Sequence, residues 1–126
     1  MGIRSDVFVA VKNHIFLNLK EETQKFLAES SDQTSIKPLE GRAFIFESVK
    51  WYVEDNPEII ELYEALRYLI SSPENGFSEE DFIIIEACGE YPDHEENNLG
   101  AWTDNPWEAY KEISVSINVN DPHAFD

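Results

Sequence analysis

Cys88 and His94 are the residues of this chain nearest to a reactive pair. They lie in one stretch, "ACGEYPDHEENN", and a thiol beside an imidazole is the material of a nucleophile and its base. A catalytic thiolate also needs an electropositive setting, whereas Glu86 and Glu90 flank this cysteine and disfavour its ionisation. Cys88 therefore reads as a structural cysteine at a strand end, and a small enzyme or a metal- or ligand-binding domain with a site near Cys88 and His94 stands as the alternative reading. In the same stretch Glu90, Asp93, His94, Glu95 and Glu96 offer oxygen ligands of the kind a hard cation takes. They lack the alternating spacing of a calcium loop, and adjacent carboxylates diverge unless a fold turns them inward. A solvated or partner-contacting loop is the expectation, with no metal. His14 and His123 have no chemical partner close in sequence.

No G-x-S-x-G, Walker, G-x-G-x-x-G, H-E-x-x-H or C-x-x-C pattern occurs, and the five glycines do not cluster into a phosphate-cradling loop. No cofactor is expected, and the chain is expected not to be an enzyme. Charge is more informative. The 126 residues carry a net charge of −17. Residues 1–50 hold seven acids and seven bases, so the whole imbalance falls in residues 51–126, where 19 acids meet only Arg67 and Lys111. Such a field repels nucleic acid and anionic membrane and draws in basic protein surfaces over about 8 Å, the Debye length at physiological salt.

Two groups stand out within the acidic part. Glu54, Asp55, Glu58, Glu61 and Glu64 recur beside an apolar helical stripe, and same-face acids three or four apart repel one another. With the acids of 74–96 they form a spaced series of negative charges, as duplex DNA presents one phosphate per roughly 3.4 Å of axis on each strand. Trp102 and Trp107 lie in "AWTDNPWEAY", aromatics among polar groups, and with Trp51 they are candidate anchors for a protein partner. The plainer reading makes them the lid of a core, since tryptophan is usually well buried.

The elements that must hold these residues follow from periodicity. "DVFVAVK" (6–12) reads as a buried strand, and Asn13 as the cap of a helix running to about Ser30. "SSDQTSIKPLEG" reads as a polar loop and "RAFIFESVKWYV" (42–53) as a second strand. Asn56, Pro57 and Glu58 give the clearest helix start, followed by Ile59, Leu62, Tyr63 and Leu66 as a buried stripe. "DFIIIEA" (81–87) is a central strand covered on both faces, "LGAW" a short one, and "EISVSINV" (112–119) a half-buried fourth strand. The expected fold is α+β: a single domain over 1–126, with 120–126 a frayed tail, in which two helices pack on a mixed four-stranded sheet in the order β-α-β-α-β-loop-β. A ferredoxin-like variant is among the allowed topologies. With one cysteine and no apolar run near the roughly 20 residues of a bilayer span, a soluble cytoplasmic protein is expected.

The opening "MGIRSDV" and the apolar strand after it resemble the start of a group of small phage and prophage proteins that begin M-G-(Tyr/Ile)-R-S-(Asp/Glu)-V. "ESVKWY" is similar to their K-W-Y segment before an acidic helix, and "EACGEYPDHEENN" resembles their glycine- and acid-rich stretch; Phe8 departs from the small residue of the pattern. The resemblance implies a phage setting, in which small acidic proteins disable host machinery or defence, and no functional residue is carried over from it. Together these readings predict a counter-defence type of acidic binding protein. It would dock on the basic surface of a host protein that acts in defence or handles nucleic acid, with DNA mimicry as one form of that docking. Glu54, Asp55, Glu58, Glu61, Glu64, Asp93, Glu95 and Glu96 are the expected charge contacts, and Trp51, Trp102 and Trp107 the expected anchors. Direct nucleic-acid or membrane binding is not expected.

Overall fold

A computed structural model describes residues 4–71, 74, 76–88, 97–107, 109–111 and 117–119. The described strands are β1 (Ser5–Lys12), β2 (Gln33–Lys37), β3 (Gly41–Val49), β4 (Phe82–Cys88), β5 (Leu99–Gly100), β6 (Ala109–Lys111) and β7 (Ile117–Val119). The helices are α1 (Asn13–Leu17), α2 (Glu21–Ser30) and α3 (Pro57–Ile70).

β1 to β5 form one five-stranded sheet in the order β2-β3-β1-β4-β5, and every neighbouring pair is antiparallel. The expectation of a mixed four-stranded sheet is corrected on three counts. The polar segment taken for a loop contains β2, an edge strand that buries only Ser35 and so needs no apolar alternation. Because β2 adds one reversal between β1 and β3, β3 returns antiparallel beside β1. Of the fourth expected strand only 117–119 are described, and there β7 pairs with β6 in a separate two-stranded sheet; 112–116 lie outside the described residues.

Sequence chemistry explains the local breaks. The single helix expected from Asn13 to Ser30 is two, because side chains take up the carbonyls at the end of α1: Asn18 Nδ2 donates to His14 O, and Gln24 Nε2 donates to Phe16 O and Leu19 O. Asn13 does not cap α1 with its side chain. It is the first helical residue, and its amide reaches Pro38 O at 2.9 Å. β3 ends at Val49 instead of 53, after a bulge at which Ser48 takes φ 51° and donates its N–H to Asp6 Oδ1. α3 begins as its sequence requires, with Asn56 Oδ1 accepting the N–H groups of Glu58 and Ile59 and Pro57 at the first position. Gly100 holds φ 82° with Phe82 O against the place a Cβ would occupy, so β5 can close on β4 only with glycine there.

Each face of the sheet carries its own core. Val7, Val9 and Val11 of β1, Phe44 and Phe46 of β3, and Phe82 and Ile84 of β4 pack with residues of all three helices. On the reverse face Phe8, Ala10, Ala43 and Ile85 are covered by Trp102 and Trp107. The alternation of β1 thus delivers Val to one core and Phe8 and Ala10 to the other, which is why every residue from Val7 to Val11 is fully buried.

Candidate functional site

The acids around α3 lie where their spacing puts them. Glu54 and Asp55 occupy the turn before the helix and are exposed, as are Glu58 and Glu64, while Glu61 is half-buried. Steps of three residues along a helix make Glu58, Glu61 and Glu64 a slanting row, about 120° of circumference over ~9 Å of axis. α2 packs beside α3 and adds Glu21 and Glu22 from its own first turn. Lys20 stands between the helices with Nζ 2.9 Å from Glu61 Oε1. The hydrogen bond and charge of Glu61 raise the Lys20 pKa, with Glu22 and Glu64 adding to the effect. Glu22, Glu61 and Glu64 therefore gather around Lys20 where α2 and α3 meet, with Glu61 engaged by that lysine, and Lys25 and Arg67 are further exposed cations on the same two helices. Nothing in the local sequence of α3 marks Glu21, Glu22 or Lys20 as its neighbours, because helix packing brings them there.

The three tryptophans are not surface anchors. Trp51, Trp102 and Trp107 are 3%, 4% and 0% exposed. Trp51 stacks among Phe26, Phe46 and Tyr63 and donates Nε1–H to Tyr63 Oη at 2.9 Å. Trp107 meets Trp102 and Phe8 edge-on and donates Nε1–H to Ser35 Oγ at 2.8 Å. Both ring N–H groups find acceptors within the molecule, so the rings serve the two cores. Asp93, His94, Glu95 and Glu96, and the side chain of Cys88, lie outside the described residues.

Two polar clusters escaped the sequence reading. Tyr63 Oη, having accepted from Trp51, donates to Asn97 O; Asn97 Nδ2 donates to Glu86 Oε1, and Ser5 Oγ donates to Glu86 Oε2 at 2.7 Å. Burial pushes the Tyr63 hydroxyl well above the ordinary phenol range; the Trp51 bond opposes the shift and the Glu86 charge adds to it. Glu86 is 4% exposed, and this chain of bonds ties β1, β4 and α3 to the segment at Asn97. The second cluster joins Asp81 to Lys12 Nζ at 3.2 Å, His14 Nε2 at 3.1 Å and the Ser78 N–H at 3.0 Å. His14 stacks on Phe77, and Lys12 Nζ lies over the Trp102 ring. Sequence separation hides the pairing, since 67 residues part His14 from Asp81. Among the described residues no group of three His, Cys, Asp or Glu is arranged to hold a metal ion.

No family model matches the chain, and no curated protein or solved structure matches it.

Proposed function

We propose that this chain is a phage-type acidic binding protein that docks on the basic surface of a host protein acting in defence or in nucleic-acid handling, and thereby inhibits or modulates it. The observation that carries the reading is the gathering of Glu22, Glu61 and Glu64 around Lys20 where α2 and α3 meet, with Glu54, Asp55, Glu58 and Glu64 exposed before and along α3. Long-range attraction between this face and a cationic partner speeds encounter and weakens as salt shortens the Debye length. The face is charged where the two cores are apolar, so the tryptophans drop out of the contact and carboxylates carry it. DNA mimicry is the form of docking that rows of carboxylates fit best. We also read the β-α-β-β-α-β order of β1 to β4 as a ferredoxin-like variant, supported by the sheet order with β1 and β3 inside.

Affinity capture from a bacterial lysate tests the binding reading. The wild-type chain should retain a basic host protein at about 0.1 M NaCl and release it by about 0.5 M. Glu54→Lys, Glu58→Lys and Glu64→Lys combined should weaken binding of that same purified protein at least tenfold. Unchanged affinity in the triple variant removes the α3 face from the interface.

A further inference from the structure

Four large apolar side chains among the described residues are more than half exposed, and Tyr68, at 78%, is the one that stands on α3. The buried stripe of that helix is Ile59, Leu62, Tyr63 and Leu66, so the Tyr68 ring belongs to its outward side. A ring left in water is out of keeping with a chain that buries all three of its tryptophans. Glu64 is four residues earlier, one turn along the same side of the helix, and is exposed too. Long helical side chains lean back over the preceding turn, which carries the Tyr68 ring towards Glu64. Arg67, the cation nearest to both in sequence, does not fill the place between them: its guanidinium lies over the Tyr63 ring, 5.6 Å from the centroid. Among the described residues Glu64 makes no salt bridge, since Lys20 is bonded to Glu61.

Charge and shape select the occupant. A chain of net charge −17 repels an anion and draws in a cation. A carboxylate one turn from an exposed ring offers the two surfaces that a guanidinium uses at once: its N–H fork meets both carboxylate oxygens while its flat face stacks on the aromatic. An ammonium meets the carboxylate as a point charge and is more strongly hydrated, so it gains less from the ring. The molecule uses the stacking half of this chemistry within itself, where the Arg42 guanidinium lies 4.3 Å from the centroid of Phe16. We propose that the outward side of α3 at Glu64 and Tyr68 receives an arginine side chain of the basic partner, with its guanidinium paired to the Glu64 carboxylate and stacked on the Tyr68 ring. This rests on the reading of the chain as a binder of a basic surface and adds which basic residue that surface presents. It also returns an aromatic anchor to the contact, of a residue type that often dominates protein interfaces. The position escaped the sequence reading because Tyr68 stands among Leu66, Leu69 and Ile70, where an aromatic looks like one more core residue.

Titration of the full chain with tetraarginine and tetralysine, peptides of equal charge, at about 0.05 M NaCl tests this. The wild type should bind the arginine peptide about two- to fivefold more tightly, the gain expected of a cation held over an exposed ring. Tyr68→Ala should abolish that preference while leaving the affinity for tetralysine nearly unchanged. Tyr68→Phe should keep the preference, since the ring and not the hydroxyl does the stacking. Glu64→Gln should weaken both peptides and reduce the preference, because the paired N–H contacts are lost with the charge. Equal affinity of the wild type for the two peptides, or an arginine preference that survives Tyr68→Ala, overturns the proposal. The ratio between two peptides of one charge is independent of the salt-released capture of a host protein. Loss of the preference with capture intact therefore overturns the arginine assignment alone, and failed capture with the preference intact overturns the docking reading alone.

Discussion

Asp81 shows how one carboxylate fastens separate parts of the chain. Partial burial, the largest influence on it, pushes its pKa up, yet the bonds from His14, Lys12 and the Ser78 N–H outweigh burial and hold the group below the usual aspartate value. A depressed folded-state pKa gives stability that is present above the unfolded value of about 3.9 and is lost as the pH falls through the folded one. Asp81→Asn should therefore cost about 1–3 kcal/mol in urea unfolding at neutral pH, with the difference from wild type shrinking as the pH falls below about 3.9. A constant difference across that range would show that the charge of Asp81 contributes nothing. Thr23 gives the opposite expectation. Its Oγ1 is buried with no hydrogen-bond partner among the described residues, and the nearby Leu19 carbonyl is already taken by Gln24. Thr23→Val keeps the shape and the β-branch while removing the orphaned hydroxyl, and should raise stability by roughly 1 kcal/mol, read from the urea midpoint.

Elements were legible where their cause is local. Asn56, Pro57 and Glu58 announce α3 because capping, the missing proline N–H and the helix dipole all act within one turn. Asn56→Ala should cost about 1 kcal/mol and Asn56→Asp should restore most of it, since an Asp oxygen also accepts the Glu58 and Ile59 N–H groups; equal melting of all three chains would show that the cap does not act. β1 and β4 were legible for a related reason, as apolar residues at consecutive positions mean two covered faces. β2 was not. Its residues Gln33, Thr34 and Lys37 carry no periodic signal, and they become a strand only because Ala43, Phe44 and Ile45 offer a partner backbone. The sheet's strand directions depended on that one hairpin. Of the acidic candidates, Glu58, Glu61 and Glu64 followed from helical spacing and lie on α3, Glu54 and Asp55 lie in the turn before it, and Asp93, Glu95 and Glu96 lie outside the described residues; the tryptophans are buried, because a polar-flanked aromatic in an irregular segment looks alike whether it faces a partner or, as Trp107 does, Phe8 and Ser35.

At the scale of the whole molecule, 26 acids against nine bases make the folded chain repel itself, since folding concentrates charge that the unfolded chain spreads out. The pairs Lys20–Glu61 and Lys12–Asp81 work the other way and are weakened by the same screening. Exposed pairs contribute at most about 1 kcal/mol each, and the bases that could form them are outnumbered almost three to one, so repulsion governs the sign. Raising NaCl from about 0.02 to 0.3 M, which shortens the Debye length from roughly 20 to 6 Å, should raise the melting temperature, by about 3–5 °C for each kcal/mol of repulsion removed. Most of the rise should come before about 0.3 M, where screening is largely complete; a rise that continues in proportion to salt beyond that point would indicate exclusion of the salt from apolar surface. Glu58→Lys with Glu64→Lys, at exposed positions on the most crowded helix face, should raise the low-salt melting temperature and flatten its salt dependence. If the double variant instead melts lower with the same slope, the carboxylates of α3 are not in mutual strain, and the acidic face stores no repulsion for a cationic partner to relieve.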